Sequence, residues 1–359
     1  MNLFDFNRHD LSVFLKGKGY RGYCSDQIFQ WLHQRLVSDF FSMSNLSKAS
    51  RLEFSGIFSC QVPTVVREHC SLDGTLKWLL SVGEGNAVET VYIPEKRRIT
   101  LCVSSQVGCA LDCAFCATGK SGFNRNLTTG EIVAQLWLAN RYLSDRYPGE
   151  NRRITNVVFM GMGEPLVNFE AVMRSASIML DDFSYGLSRR RVTISTSGIV
   201  PAIDRMAERC PVALAVSLHA SDNELRDKLV PINRKYPLHQ LMAACERYIE
   251  HSPKKFITFE YVMLKDVNDT TSHAEKLINL LKNIPCKINL IPWNPFPSVS
   301  FSCSTNQSIL RFHNCLCDAG LVSTIRKTRG DDIDAACGQL SGEVKDCTRR
   351  GVLRLQKNH

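Results

Sequence analysis

Three cysteines stand in one short loop, at Cys109, Cys113 and Cys116, with the spacing C-x3-C-x2-C. Thiolates are the usual protein ligands of iron–sulfur clusters, and a cubane cluster has four irons to ligate. Three protein ligands leave one iron open, where a small chelating molecule can bind and receive one electron. The loop therefore predicts a cluster with an open iron.

Zinc and disulfide bonds are the alternatives for these thiols. Structural zinc sites usually add a second cysteine pair or a histidine to close a tetrahedron, and neither follows the loop. The odd count of 15 cysteines, the chain length and a start without an apolar signal segment disfavour a disulfide framework, so reduced thiols and a cytoplasmic location are expected. Several other cysteines lie in apolar contexts and are interpreted as core residues: Cys210, Cys245, Cys286, Cys315 and Cys317.

The 359 residues are 44% hydrophobic and contain no apolar run near 18 residues, which predicts one large globular domain, a smaller one and no membrane segment. The net charge of +9 favours an anionic partner. Three arginines are consecutive at 189–191, and the tail adds Arg349, Arg350, Arg354 and Lys357. Nucleic acid, a membrane surface or another polyanion would each match this charge.

The first ninety residues differ from the rest. Segment 25–37 carries apolar residues at helical spacing, with Ser25 as a candidate N-cap, and it indicates a small helical domain. Two strands follow at 75–82 and 87–93, separated by a glycine turn. The predicted division is a helical accessory domain at 1–62, a β-hairpin connection at 63–97, the core at 98–342 and a basic tail at 343–359.

From residue 98, strands and helices alternate. Apolar segments predict strands at 99–104, 154–160, 191–196, 212–218, 256–263 and 286–292. Helical patterns fall between them, including 129–143, 169–181 and 238–250. Helix-length crossovers require parallel pairing, so the predicted fold class is α/β, a partial (β/α)6 barrel with a small N-terminal helical domain. A flat open sheet is the alternative.

Polar residues follow the predicted strands where each one ends. Gly163 and Glu164 follow the second strand and Ser195 ends the third. Ser217 and His219 end the fourth, and Asn294 follows the sixth. In a β/α barrel the active site lies at the carboxyl ends of the strands, so one shared site is expected. A dinucleotide-binding fold is disfavoured, since Leu166 stands where the third glycine of its motif belongs.

Longer segments carry a resemblance to a known family: CVSSQVGCALDCAFCATG, VVFMGMGEPL, STSG, VSLHA, NLIPWNPF and IRKTRGDDIDAACGQL. The chain resembles the radical S-adenosylmethionine (SAM) adenine-C2 methyltransferases of the RlmN type, which modify ribosomal and transfer RNA. The resemblance implies a radical SAM barrel, a [4Fe-4S] cluster and SAM as cofactors. It also implies 23S rRNA and tRNA as partners, a flavodoxin-like or similar external electron donor, no membrane and a monomer.

The resemblance assigns roles to residues at matching positions. It implies that Cys109, Cys113 and Cys116 ligate the cluster. Cys337 matches the cysteine that becomes S-methylated, Cys102 the second redox cysteine, and Glu89 the proton acceptor. The implied SAM contacts are Gly163, Glu164, Ser195, Ser217, Leu218, His219 and Asn294.

The implied mechanism is ping-pong. One SAM methylates Cys337, and a second SAM is cleaved to a 5′-deoxyadenosyl radical that takes a hydrogen from the S-methyl group. The methylene radical adds to C2 of adenine, giving a protein–RNA crosslink. A base, Glu89 or the Cys102 thiolate, removes the C2 proton, and Cys102 then attacks Cys337 and leaves a transient disulfide bond.

Two other functions remain open. The chain would be an RNA-binding or ribosome-assembly factor if it had lost its chemistry, although the five mechanistic cysteines and Glu89 argue against this. A related C8-methylating enzyme shares the cysteines, while IPWNPF and RKTRGDDID favour the C2 group. Target adenine must leave its stack, and basic residues are expected to hold the RNA. The candidates are Lys16, Lys18, Arg21, Arg35 and the arginines at 189–191.

Overall fold

A computed structural model describes residues 1–296 and 299–348. The tail cations Arg349, Arg350, Arg354 and Lys357 lie outside the described residues. The α-helices of the described residues are α1 (Arg8–Gly17), α2 (Tyr23–Phe29), α3 (Lys48–Ile57), α4 (Ala117–Lys120), α5 (Thr129–Arg146), α6 (Phe169–Leu180), α7 (Val200–Arg209), α8 (Asn223–Leu229), α9 (Leu238–His251), α10 (Thr271–Leu281) and α11 (Asn306–Asp318).

The strands of the described residues are β1 (Thr64–Cys70), β2 (Leu76–Ser81), β3 (Ala87–Pro94), β4 (Ile99–Cys102), β5 (Gln106–Gly108), β6 (Phe123–Asn126), β7 (Asn156–Phe159), β8 (Val192–Thr196), β9 (Ala213–Ser217), β10 (Ile257–Met263), β11 (Cys286–Pro292) and β12 (Val322–Ile325). All six predicted core strands and the predicted hairpin of β2 and β3 are confirmed.

One large sheet has the strand order β1-β2-β3-β4-β7-β8-β9-β10-β11-β12. Neighbours from β4 to β12 are parallel, and β1 to β4 pair antiparallel. Helices form the crossovers, as parallel pairing demands. Because the order ends at β1 and β12 and does not return on itself, the barrel is partial, as predicted.

Two strands of this sheet were not predicted, β1 and β12. All seven residues of β1 are exposed and several are charged, so the buried–exposed alternation that predicts a strand is missing. A register shift between Val65 and Arg67 adds to the features that protect such an edge strand from pairing with another chain. β12 has four residues and buries mainly Ser323, so its apolar signal is weak.

The segment after β12 returns to the opposite end of the sheet. The Ser71 hydroxyl donates to Asp332 at 2.5 Å, and Lys77 Nζ donates to the Asp334 carbonyl at 3.1 Å. Ala87 and Glu343 exchange backbone hydrogen bonds of 2.8 and 3.0 Å. This returning segment, residues 330–343, connects the two ends of the open sheet and carries the late cysteine of the sequence.

Residues 3–62 form short helices whose apolar side chains pack in a second core. The predicted helix at 25–37 is present as α2 followed by a π-helical turn, Gln30–Gln34. The predicted cap at Ser25 is wrong: α2 already begins at Tyr23, and the buried Ser25 hydroxyl donates to the Gly22 carbonyl from within the helix. The predicted boundary at residue 62 stays a prediction.

The N-terminal core is continuous with the barrel helices. Val133 and Trp137 of α5 and Ile178 of α6 belong to the same buried cluster. The Trp137 indole N–H donates to the Leu32 carbonyl at 2.8 Å, and Asp5 accepts from the Gly130 N–H at 2.6 Å. The N-terminal helices are therefore packed on α5 and α6 through apolar burial and hydrogen bonds.

Among the described residues, no helix is both long and apolar enough to cross a bilayer. The interpretation of five cysteines as core residues is correct for Cys210 and Cys245, which are buried, whereas Cys286 and Cys315 are half-buried. It is wrong for Cys317, which is exposed on α11 next to His313. An apolar neighbourhood in sequence does not fix which face of a helix a residue occupies.

Candidate active site

One cavity opens at the carboxyl ends of the parallel strands and encloses about 950 Å³, counted to its open mouth. Nine of the predicted site residues line it: Cys109, Cys113, Cys116, Gly163, Glu164, Ser195, Ser217, His219 and Cys337. Residues far apart in sequence thus meet at the end of the sheet where the strand-end pattern predicted them.

The cysteine loop is held by a small two-stranded ribbon of β5 and β6. Gly108 ends β5 with φ +77°, and a Cβ there would lie 2.1 Å from the Gly122 carbonyl oxygen, so only glycine allows this close crossing. The Cys109 N–H donates to the same carbonyl at 2.7 Å, and the Trp293 indole N–H donates to Phe115 at 3.1 Å. The loop is therefore fixed from both the ribbon and β11.

The chemistry of the loop fits an iron–sulfur cluster. Burial raises the pKa of Cys113 well above its ordinary value, and the neighbouring Cys109 and Cys116 raise it further. Burial also raises the pKa of Cys116. Three thiols in the wall of one cavity ionise more readily when cationic iron replaces their protons. Cys109, Cys113 and Cys116 are the residues that would hold the cluster.

Gly163 and Glu164 form a backbone turn beside the loop. Gly163 has φ +99°, and a Cβ would lie 2.5 Å from the Gln106 Cβ. The Gln106 amide oxygen accepts from the Glu164 N–H at 2.8 Å. The Glu164 carboxylate accepts from the Ser197 N–H at 2.8 Å and the Leu166 N–H at 3.2 Å. These bonds fix the carboxylate at the cavity wall, although burial raises its pKa above the ordinary value.

His219 is a neutral hydrogen-bond donor at the cavity wall. Its Nδ1 accepts from the Val262 N–H at 3.0 Å, which places the ring proton on Nε2. Burial lowers the pKa of His219 to about 3, and the cation of Arg226 lowers it further. The ring packs edge-on against Phe115 at 4.5 Å between centroids. His219 therefore joins the cysteine loop to β9 and β10.

Two predicted SAM contacts, Leu218 and Asn294, do not line this cavity. The Leu218 side chain is buried, and its carbonyl accepts from Arg226 Nε at 3.0 Å. The Asn294 amide instead donates to the Cys337 carbonyl at 3.3 Å. In this structure Asn294 holds the returning segment, and Leu218 contributes only backbone near the site.

The pKa of Cys102 depends in part on Cys337, which the returning segment carries. Cys102 ends β4 and is buried; burial raises its pKa to about 12, with a further increase from Cys337 and an opposing effect from Arg326. The structure records no disulfide bond at any cysteine of the described residues, which include all fifteen. The transient disulfide implied by the resemblance is therefore not formed in this state.

Glu89 lies behind the cavity, not in its wall. Its Oε1 is 3.1 Å from Lys77 Nζ, and its Oε2 accepts from the N–H groups of Ser341 and Gly342 at 2.8 and 3.2 Å. Both charged side chains are about nine-tenths buried, with 10% of Lys77 and 9% of Glu89 exposed. The pair therefore holds the part of the returning segment that follows Cys337 in the sequence.

Three charged residues at the site were missed by the sequence reasoning. Arg226 is fully buried and donates to the carbonyls of Ser197, Ser217 and Leu218 at 2.7 to 3.0 Å, tying β8 to β9. Glu260 and Arg326 line the cavity 3.7 Å apart. Arg326 carried a signal, because it directly follows β12 and begins the quoted RKTRGDDID segment, whereas Glu260 in the middle of β10 and Arg226 on α8 are marked by no strand-end pattern.

Arg326 and Cys337 both line the cavity, and both Cys337 and Cys102 affect the pKa of Arg326. Cys337 contributes most to raising the pKa of Arg326, and Glu260 and Cys102 raise it further. The guanidinium follows β12, and its backbone N–H donates to Leu290 at 2.8 Å. Arg326 also lowers the pKa of Cys102, against the larger opposite effect of burial.

The arginines at 189–191 lie at the other end of the sheet. They precede β8, whereas the cavity lies at the carboxyl ends of the strands. Arg189 and Arg190 are exposed and donate to the carbonyls of Pro211 and Pro253 at 3.1 and 2.9 Å. The run therefore lies away from the cavity, and its predicted contribution to holding RNA stays a prediction.

Comparisons with known proteins agree with this geometry. Residues 103–281 match the radical SAM superfamily, and residues 1–59 match the ribosomal RNA large subunit methyltransferase N-terminal domain. A radical SAM methyltransferase from Sphaerobacter thermophilus is 44% identical, with 95% of this chain and 99% of that chain covered and a TM-score of 0.88.

Two further solved structures are less similar. A domain of a pyruvate-formate lyase-activating enzyme from Bacteroides vulgatus is 18% identical over 48% of this chain and 99% of that one, with a TM-score of 0.36. Streptococcus suis SuiB bound to S-adenosylmethionine is 12% identical over 67% and 57%, with a TM-score of 0.47. Both TM-scores lie below 0.5, which is too low to indicate a shared fold or function. The near full-length similarity and the two family matches establish that the chain belongs to the radical SAM methyltransferases of the RlmN type, which use a [4Fe-4S] cluster and SAM.

Proposed function

We propose that the chain methylates C2 of an adenosine in the peptidyl-transferase region of 23S rRNA and of the adenosine 3′ of the anticodon in tRNA. One observation carries this proposal: Cys337 lies in the wall of the cavity that holds Cys109, Cys113 and Cys116. C2 of adenine is an electron-poor carbon bearing hydrogen, so it does not attack a methyl group as a ring nitrogen would. When bound, the cluster and SAM supply the 5′-deoxyadenosyl radical that this carbon requires.

The strand-end residues would hold SAM. The fixed carboxylate of Glu164 is placed to accept from an amino-acid ammonium, and His219 Nε2–H is placed to donate. Gly163 leaves room for a ligand beside the backbone, and Ser195 and Ser217 offer hydroxyls at the cavity wall. Leu218 and Asn294 complete the proposed set through backbone and amide groups.

Cys337 would carry the methyl group and Cys102 would release the product. Attack of Cys102 sulfur on Cys337 sulfur breaks the bond from Cys337 to the RNA-linked carbon, and that carbon leaves as the new methyl group after taking a proton. The two thiols become a disulfide, which an external thiol must reduce before the next turnover. We keep both Glu89 and Cys102 as candidates for the group that takes the C2 proton, because burial raises the pKa of Cys102 to about 12 and Glu89 lies behind the cavity, paired with Lys77.

The N-terminal helices would hold RNA structure. Lys16, Lys18, Arg21 and Arg35 are exposed, and the Arg35 guanidinium stacks on the Trp31 ring at 4.1 Å. Deleting the domain would strip the apolar faces of α5 and α6, so substitution is the cleaner test. Changing Lys16, Lys18 and Arg21 to Gln together should weaken RNA binding at least tenfold and leave the melting temperature unchanged; unchanged binding contradicts the assignment.

The proposal is tested by anaerobic reconstitution with iron and sulfide, incubation with RNA, SAM and a flavodoxin-type reductant, and mass spectrometry of the digested nucleosides. We expect 2-methyladenosine, and none from Cys337→Ala. An 8-methyladenosine product would favour the C8-methylating alternative, and RNA binding without product or 5′-deoxyadenosine would favour a binding factor. Cys102→Ala should accumulate a protein–RNA adduct visible on a denaturing gel, because the crosslink would form but would not be resolved. We also propose that the enzyme is a cytoplasmic monomer.

A further inference from the structure

Cys337 lies between two cavities. The first is the cofactor cavity described above. The second is smaller, encloses about 360 Å³ counted to its mouth, and shares Ile291, Arg326 and Cys337 with the first. Its remaining polar lining comes from Asn294 and the residues that follow Arg326. The carrier cysteine is thus reached from two sides, and only one of them holds the cluster loop.

The second cavity is lined by cations. Arg326, Lys327 and Arg329 contribute side chains, and none of its described lining residues is acidic. Three acidic partners pair with the two arginines from outside the lining: Glu260 is 3.7 Å from Arg326, and Asp73 and Glu95 are 3.6 and 3.8 Å from Arg329. Lys327 is exposed and makes no salt bridge within the described residues. The cavity therefore presents positive charge directly beside Cys337.

These cations are held on a rigid support. They follow β12, whose neighbour β11 ends in the other wall of the cavity, at Ile291 and Pro292. The Gly330 N–H reaches the Asp73 carboxylate at 3.4 Å, which ties the end of the cationic run to the hairpin. Fixed arginines suit the planar, bidentate recognition of a phosphate, and lysine adds a mobile point charge.

We propose that this second cavity, the phosphate cavity, binds a backbone phosphodiester of the RNA substrate next to the target adenosine. The inference rests on the proposed function. A base that leaves its stack must be held by the phosphates that flank it, because backbone contacts set the position of the strand. A phosphodiester seated between Arg326 and Arg329 places the adjoining nucleotide at Cys337, on the side away from the cluster loop.

The test measures binding of a fluorescein-labelled transcript of the peptidyl-transferase region to the reconstituted holoenzyme, by anisotropy at several salt concentrations. Lys327→Gln and Arg329→Gln should each weaken binding about fivefold and lower the slope of log Kd against log salt by about 0.7 to 0.9. Arg329→Lys should recover most of the slope. Lys282→Gln, an exposed cation at the end of α10, is the matched control and should bind like the wild type.

The outcomes distinguish failure of the phosphate cavity from failure of the proposed function. If the wild type produces 2-methyladenosine while Lys327→Gln and Arg329→Gln keep its Kd and salt slope, the phosphate cavity is refuted and the proposed function stands. Equal weakening by Lys282→Gln also refutes it, because the effect would then follow net charge. If the wild type neither binds nor methylates the transcript, both proposals fail.

Discussion

The buried pair of Lys77 and Glu89 gives the sharpest prediction. The charges lie 3.1 Å apart and are about nine-tenths buried. At an effective dielectric constant near 20 their attraction is about 5 kcal/mol, much of which offsets the cost of removing both charges from water. Removing one partner leaves the other charge buried, so Lys77→Met and Glu89→Gln should each lower the free energy of unfolding by about 3 kcal/mol.

The double variant should lose far less than the sum of the single losses, since no uncompensated charge remains. We expect a coupling free energy of about 2 to 3 kcal/mol from urea unfolding of the four proteins. Lys228 and Glu224 on α8, 3.0 Å apart but 66% and 86% exposed, provide the control cycle, with a coupling of about 0.5 kcal/mol or less. Additive losses at Lys77 and Glu89 would refute the reasoning.

The same pair should control the order of the catalytic segment. Lys77 donates to Asp334, and Glu89 accepts from Ser341 and Gly342, so these bonds flank Cys337 on both sides. In Lys77→Met the amides of the returning segment should exchange with deuterium at least tenfold faster than in the wild type. Unchanged exchange there, with faster exchange elsewhere, would assign the pair a general role in stability only.

Three further predictions concern single positions. Burial lowers the pKa of His33 to about 3, so between pH 3 and 6.5 the unfolded chain binds more protons than the folded chain and the free energy of unfolding falls as pH drops. In urea titrations at pH 7 and pH 5, His33→Gln should therefore reduce this fall in the free energy of unfolding by about 2 kcal/mol. The exposed His9 provides the control, because His9→Gln should leave the fall unchanged. Gly163→Ala should weaken SAM binding about tenfold in anaerobic calorimetry, because its Cβ would displace Gln106; wild-type affinity would show that the turn adapts. Arg326→Gln should lower the free energy of unfolding by about 1 to 2 kcal/mol in urea titrations, because the buried Glu260 carboxylate loses its cationic partner 3.7 Å away, and Arg326→Lys should restore part of the loss; unchanged stability would show that the pair contributes nothing.

The sequence was sufficient for the parallel core because strands such as β9 and β10 are buried along nearly their whole length. The five residues of β9, for example, form an apolar run that only its serine interrupts, and such runs are readable without a partner. The strand-end rule then placed His219 and Glu164 in one cavity, since it depends on topology and not on side-chain detail. The prediction succeeded wherever a local pattern decided the outcome.

What the sequence could not supply depends on long-range pairing. β1 is exposed along its length, and its partner β2 is the only sign that it is a strand. The Asn294 amide donates to the Cys337 carbonyl, a contact that local sequence does not predict, because the path of the returning segment is set by contacts with residues more than 200 positions earlier. The face that a residue occupies on a helix was also not predictable, as Cys317 shows.

The contacts between the returning segment and the hairpin have a consequence for how the protein is made. Lys77 and Glu89 are synthesised early, but their partners Asp334, Ser341 and Gly342 leave the ribosome near the end of translation. A nascent chain can therefore form the cysteine loop and most of the parallel sheet while Lys77 and Glu89, paired with each other, still lack these backbone partners. The returning segment brings Cys337 to the cavity last, so a chain terminated before residue 330 would lack that side of the cavity.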